Sequence, residues 1–302
     1  MLTLINHGYS AILVTYNAEK NLNKVIESIL NQEIAPSEII VVDDCSDDGT
    51  VERVQQLLVG FDAKIITANV TNLGQAHSRN VGATLASFEY LIFFDDDDFS
   101  NPCRSTLHLQ QLENSDLSYV SSIKIYPSGY QVKCTNNDYS LAPTLFSDLI
   151  CYLLLGKKIG GADLFVPTAT LGCRRSAIFE IGGFDVNFRR QEDVEFAIRA
   201  AVQRLRISWT PIEGVKRFHT VNASKGHGID SSYELLLISK VESLMTDSEA
   251  NQARFLSYSR KAYFSGKYFE LIFQILAHPR FWWFALNRLP ALCRRLIHEA
   301  RM

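Results

Sequence analysis

Two periods of apolar residues alternate along the first hundred positions. Short apolar runs at Tyr9 to Thr15, Ile39 to Val42, Ala63 to Ala68 and Tyr90 to Phe94 read as buried strands. Between them the period changes. Leu22, Val25, Ile26, Ile29 and Leu30 recur at helical spacing, as do Val51, Val54, Leu57 and Leu58, and each set marks one helix face. Gln75 to Ala86 is a third helix, whose small residues suit close approach to a sheet. Strand and helix therefore alternate, and near-continuous apolar strands imply an α/β fold with a parallel sheet covered on both faces. Right-handed crossovers bring the carboxyl ends of those strands to one edge.

Further on the pattern changes. Leu117 to Tyr126 predicts a strand, Pro127-Ser-Gly129 a turn, and Tyr130 to Cys134 a returning hairpin strand. Residues 136 to 165 carry no clear period, and Gly160-Gly161 marks a loop. Val194, Ile198, Ala201 and Leu205 share a helix face, Ile207-Ser-Trp209 reads as a short strand, and from Ser231 the pattern is helical. The expected organisation is a catalytic α/β domain over residues 1–230 and a helical region over 231–302.

Polar residues collect where the predicted parallel strands end: Thr15-Tyr16-Asn17, Asp43-Asp44 and the run Asp95 to Asp98. In open α/β sheets ligands bind at that edge. Two carboxylates about 4 Å apart repel by roughly 4 kcal/mol at an effective dielectric near 20. Four in a row need a cation, raised pKa values or full exposure. A divalent metal that also grips phosphate oxygens meets that need. The plainer alternative is a solvated acidic turn, with Asp98-Phe-Ser100 opening a helix. No GxGxxG follows the first strand and no GxxxxGK[ST] occurs, so phosphates are not cradled by a glycine-rich loop. That counts against dehydrogenases and P-loop NTPases.

Composition narrows the partners. A net charge of -3 gives no reason to expect nucleic-acid binding. Six scattered cysteines without a CxxC pair fit a reducing cytosol better than a zinc site or disulfide framework. No basic n-region precedes an apolar core, and no apolar run reaches the roughly 18 residues of a membrane span. The expected location is cytoplasmic, with any membrane contact peripheral and at the cytoplasmic face.

The segments VTYN (Val14 to Asn17), VVDDCSDDGT (Val41 to Thr50), NLGQAHSRNVG (Asn72 to Gly82), DDDDFSNP (Asp95 to Pro102) and GGFD (Gly182 to Asp185), followed by Gln191-Glu192-Asp193, stand in one order. In that combination the chain resembles a family 2 glycosyltransferase over residues 9 to 220. The resemblance implies a GT-A type nucleotide-diphospho-sugar transferase fold with a mostly parallel central sheet, plus a C-terminal helical extension. It implies a nucleotide-diphosphate sugar donor, most often a UDP-sugar, and transfer with inversion to a glycan or lipid-linked saccharide. Thr15, Tyr16 and Asn17 would line the base, Asp44 would accept from the uracil NH, and Arg79 would reach the base or a phosphate. Asp95 would contact the ribose, Asp97 would bind Mn2+ or Mg2+, and Asp96 would share either role. Pro102 supports this register. Asp193 would be the general base, and His219 would face metal or diphosphate.

Each role has a structural competitor. Asp43 and Asp44 could serve the helix near Val51, although Ser46 and Asp47 are the better-placed caps. Glu192, Asp193 and Glu195 suit the first turn of a helix, which the macrodipole favours. Arg79 could be a surface residue and His219 a structural one. Lys216, Arg217, Lys225 and His227 make the segment around His219 basic, as a diphosphate would require. Asn222 and Ser224 would sit on a loop closing over the donor, with Gly226 and Gly228 letting it move.

In the tail, Phe281, Trp282, Trp283 and Phe284 precede Leu286, Leu289, Leu292, Leu296 and Ile297, with arginines interspersed and Pro290 as an interruption. This is the composition of a membrane-surface helix. The competing reading is a helix packed on the domain or on a second copy, and membrane partitioning of a chain cut after Ala277 separates the two. Two other functions compete. A nucleotidyltransferase would need a glycine-rich basic loop after the first strand, which Tyr16-Asn-Ala-Glu19 does not supply. A non-catalytic nucleotide-sugar binding module is disfavoured by the intact Asp97 and Asp193.

Overall fold

The computed structural model describes residues 8–62, 64–141, 146–155, 157–159, 162–218 and 231–264. The chain divides into two compact units, residues 1–153 with 157–220, and residues 154–156 with 221–302.

The first unit is built on strand β1 (Tyr9–Thr15), which pairs in parallel with β2 (Glu38–Asp43) on one side and β4 (Tyr90–Asp95) on the other; β3 (Lys64–Ala68) lies parallel beyond β2. Every residue of β1 and β2 is buried, as their unbroken apolar runs require. Helix α1 (Leu22–Leu30) lays Leu22, Val25, Ile26 and Ile29 on one face of the sheet with Leu13, Val41 and Ile92. Helix α2 (Thr50–Leu57) adds Val54 to the same layer.

On the opposite face α3 (Gln75–Leu85) presents Ala76 and Ala83 to Ile12, Ile40, Val42 and Phe93. The approach is close: a Cβ on Gly82 would lie 2.5 Å from the Cγ2 of Ile12. Gly82→Ala is therefore expected to overpack this layer at about 1–3 kcal/mol, read as a lower denaturation midpoint. An unchanged midpoint would show that α3 can shift freely.

Beyond β4 the sheet changes character. Its order is β3-β2-β1-β4-β9-β6-β10-β5, where β5 is Asp98–Ser100, β6 Leu117–Ile125, β9 Leu171–Arg174 and β10 Ile207–Phe218. β9 runs antiparallel to both β4 and β6, β10 is parallel to β6, and β5 is antiparallel to β10. The sheet is thus parallel through its first four strands and mixed afterwards. β7 (Gln131–Cys134) forms the expected hairpin with β6, and β8 (Tyr139–Leu141) pairs with β10.

Three local expectations change. Asp98–Ser100 does not open a helix but forms β5; helix α4 (Arg104–Leu112) begins four residues later. β10 does not stop at Trp209. It continues to Phe218 through register shifts around Pro211, which has no N–H to donate. Residues 136–165, which show no period, contribute β8 and α5 (Phe146–Leu155).

Helix α6 (Arg175–Ile181) follows β9, and α7 (Glu192–Val202) precedes β10. In the second unit α8 (Ser231–Val241) packs against α9 (Asp247–Phe264). Among the described residues no helix is long and apolar enough to cross a membrane. His219, the loop through residue 230 and the basic aromatic tail lie outside the described residues.

Candidate functional site

The carboxyl ends of β1 and β2 are stitched together by Asp43. Its carboxylate accepts the Thr15 hydroxyl (3.0 Å), the Ser46 hydroxyl (2.6 Å) and the Ser46 N–H (2.8 Å). Thr15 is wholly buried and its hydroxyl is engaged there. Asn17 sits in the left-handed region (φ 51°), donates its N–H to the Ser46 hydroxyl and accepts the Asp47 N–H through its side chain. The Tyr16 side chain is open to solvent at 48% exposure, while its N–H donates to Asp96 Oδ2 at 2.8 Å. Asp96 thereby ties the end of β1 to the acidic run after β4.

Asp44 is buried, and both its oxygens are occupied. Oδ1 accepts the Asn69 amide (2.8 Å) and the Leu73 N–H (2.9 Å), and Oδ2 accepts the Gly74 N–H (2.8 Å). It fixes the loop that leads into α3. The capping expectation for α2 is corrected here. Ser46 serves Asp43, Gly49 is the N-cap, and Asp48 accepts the Thr50 N–H at 3.0 Å.

Arg79, on α3, does not lie on the surface; its exposure is 2%. Nη2 pairs with Asp95 at 3.0 Å, Nη1 pairs with Glu192 at 2.8 Å, and the guanidinium lies 5.7 Å from the Phe184 ring centroid. Gln75, one turn earlier, donates to the same Glu192 oxygen at 2.5 Å. One arginine thus joins the end of β4 to the first turn of α7. Burial pushes the Glu192 carboxyl up to about 7; Arg79 pulls against that shift and Asp193 adds to it. Burial also raises Asp193, opposed by the Val194 N–H and by Arg79 and Arg217.

A carboxylate raised in this way is a stronger proton acceptor than a solvated one. The structure places Asp193 in the first turn of α7, beside the Asp95–Arg79–Glu192 chain. The sequence carries one signal of the partnership of Glu192 with Arg79 and Gln75: Gln75 and Arg79 share a helix face at i,i+4.

The turn before α7 is built to deliver it. Gly182 and Gly183 have φ of 85° and 76°, which glycine adopts freely, and a Cβ on Gly183 would meet Asn80 Oδ1 at 2.7 Å. Asn80 closes a reciprocal pair with the Phe184 backbone at 2.8 and 2.7 Å. Phe184 then stacks on Phe196 of α7 and meets Phe93 of β4 edge-on. Glu195 is structural: it pairs with Arg199, which also donates to the Ile181 and Gly183 carbonyls. Gln191, just before α7, is also left-handed (φ 61°), as is Cys45 (φ 68°).

Asp98 faces β10. It accepts the Phe218 N–H at 3.0 Å, and its Oδ2 lies 3.6 Å from Arg217 Nε. Burial, with Asp95 and Asp97 close by, pushes it up to about 8. Beneath the run, fully buried Arg104 donates to the Phe93 carbonyl and the Ser100 hydroxyl.

The donor chemistry here fits a hard divalent cation. Carboxyls of Asp95, Asp98, Glu192 and Asp193 lie near Arg79 or Arg217, and Asp97 lies near Asp98, so negative groups outnumber positive ones. Among the described residues no three His, Cys, Asp or Glu side chains form a metal cage. A cation would then take one or two carboxylates and complete its shell with phosphate oxygens, as Mg2+ commonly does.

Comparison with known proteins agrees with this architecture. A glycosyltransferase of Haemophilus influenzae described as uncharacterized is 30% identical over 192 residues, covering 63% of this chain and 60% of that protein. Poly(ribitol-phosphate) beta-N-acetylglucosaminyltransferase TarS of Staphylococcus aureus is 25% identical over 269 residues, covering 85% of this chain and 44% of TarS. Cholesterol galactosyltransferase of Borreliella burgdorferi is 27% identical over 249 residues, covering 78% of this chain and 66% of that protein. The chain therefore spans 44% to 66% of the length of these three relatives.

Among solved structures, S. aureus TarS 1-349 in complex with UDP-GlcNAc superposes with a TM-score of 0.61 at 18% identity, covering 85% of this chain and 73% of that one. The fold is thus the mixed α/β GT-A architecture that the resemblance implies. Residues 10–179 match the family described as Glycosyl transferase family 2, and the chain is a member of that family.

Proposed function

We propose that this chain is an inverting glycosyltransferase that moves a hexosyl or N-acetylhexosaminyl group from a UDP-sugar to a glycan or lipid-linked saccharide. One observation carries the reading: Arg79 spans Asp95 and Glu192, so the acidic end of β4 and the Asp193-bearing turn of α7 lie side by side. The relatives named as N-acetylglucosaminyl- and galactosyltransferases support the reaction class, and the TarS complex with UDP-GlcNAc supports the donor class.

In this reading Asp193 takes the proton of the acceptor hydroxyl as that oxygen attacks the anomeric carbon. A single displacement needs no enzyme nucleophile and inverts the configuration. Tyr16 and Asn17, with the Thr15 backbone, form the wall for the base, and Asp44 shapes that wall through the loop it holds before α3. Asp95 and Asp96 lie on the ribose side. Asp97 would hold Mn2+ or Mg2+, with His219 as a second ligand. When bound, the cation supplies charge neutralisation of the diphosphate.

A panel of nucleotide sugars monitored for UDP release tests this directly. Release with one UDP-sugar, lost on chelation and restored by Mn2+ or Mg2+, is expected. Asp97→Asn should lower it by at least about tenfold and weaken the response to metal. No release from any UDP-sugar under any metal condition would overturn the proposal.

A further inference from the structure

Three arginines surround the acidic run, and they differ in what their guanidinium groups do. Arg79 is buried, with both terminal amino groups on carboxylates. Arg104 is buried, with its terminal amino groups on the Phe93 carbonyl and the Ser100 hydroxyl. Arg217 has a side chain one-third exposed (33%), and its closest ion pair is the 3.6 Å approach of Nε to Asp98. That Nε is buried and makes no hydrogen bond. The guanidinium has no hydrogen-bond partner among the described residues.

An arginine beside so many carboxylates would ordinarily close a short two-pronged pair with one of them. Here no such pair is closed: the nearest approach is the 3.6 Å one to Asp98. Arg217 is fixed opposite Asp98 in the antiparallel β5–β10 ladder and opposite Lys124 in the parallel β6–β10 ladder. Asp98 is itself held by the Phe218 N–H at 3.0 Å. The Arg217 backbone is thereby fixed one residue in register from Asp97, and its terminal amino groups make no hydrogen bond among the described residues. An unsatisfied donor at such a place calls for a missing acceptor. The charge of Arg217 also acts on Asp193, opposing the rise in its pKa.

We propose that Arg217 is a further catalytic residue, whose terminal amino groups bind the diphosphate of the donor beside Asp97 and stabilise it as leaving group. This rests on the transfer reaction proposed above. In that reaction the bond between the anomeric carbon and the β-phosphate oxygen breaks, and its electron pair stays on that oxygen. The acceptor oxygen bonds to the same carbon, and its proton goes to Asp193. The departing diphosphate gains negative charge as this happens, and a preplaced guanidinium stabilises it most at that moment.

The test compares UDP with uridine binding by calorimetry, with Mn2+ present, in the wild type, Arg217→Met and Arg217→Lys. The wild type should bind UDP far more tightly than uridine. Arg217→Met should weaken UDP by roughly 10- to 100-fold and leave uridine unchanged, the range expected for a charge-assisted hydrogen bond. Arg217→Lys should recover part of the UDP affinity. Equal loss of UDP and uridine in both variants, or unchanged UDP affinity in Arg217→Met, would overturn the assignment. A wild type that binds UDP no better than uridine would remove the donor reading itself, and this inference with it.

Discussion

Asp193→Asn abolishes sugar transfer and leaves UDP binding near the wild-type level. The substitution keeps the shape of the side chain and an oxygen that can still accept the Val194 N–H, now 2.8 Å away. What it removes is the basic site. General-base catalysis contributes about 10²- to 10⁴-fold, and turnover measured as UDP release should fall by that factor. Donor affinity should persist, because the proposed contacts to base and diphosphate come from β1, the acidic run and β10. Asp193 raises its neighbour Glu192, so the variant should also bring the Glu192 carboxyl below its present value of about 7. Near-normal turnover would take Asp193 out of the reaction.

Arg79→Met is the most damaging change expected for the fold. It leaves buried Glu192 and the partly exposed Asp95 without the cation that joins them, and breaking the buried Arg79–Glu192 pair in this way costs about 3–5 kcal/mol. The effect depends on pH, with a definite sign. Glu192 is raised from an ordinary 4.5 to about 7, so the fold favours its protonated form. Its contribution to stability is greatest below 4.5 and is lost as pH rises through 7.

Without Arg79 the Glu192 value moves higher still. The deficit of the variant should therefore be larger at pH 8 than at pH 5.5, as read from denaturant midpoints at both. Arg79→Lys keeps the charge but not the fork that reaches two carboxylates, and should fall between. A methionine variant as stable as the wild type at both pH values would show that the bridge contributes nothing.

The first half of the fold was legible because its signals are local. Apolar runs and helical spacing between residues 9 and 95 map onto β1 through β4 and α1 through α3 with end shifts of at most one residue. Elements held by distant partners were not. β5 is three residues long and exists because residues 215–217 pair with it, and nothing near Asp98 announces that. β9 and α6 are too short to show a period. Pro211 reads as a stop within a strand that simply bulges around it.

The candidate site divides the same way. Acidic residues at strand ends were visible as a pattern. The chain of contacts from Asp95 through Arg79 to Glu192 was not, because it joins three elements spread over more than a hundred residues. Asp44 was read for its carboxylate, yet its present partners include the backbone N–H groups of Leu73 and Gly74, which no side-chain pattern reveals.

Asn17, Cys45 and Gln191 all hold backbone angles that L-residues adopt reluctantly, and they follow β1, follow β2 and precede α7. Each such residue withholds on the order of 1 kcal/mol from the folded state. Directed evolution toward heat tolerance would find glycine attractive at these three places. These strand and helix ends would then become the supplest parts of the scaffold, so variants that survive heating best would be poor choices for holding a substrate still.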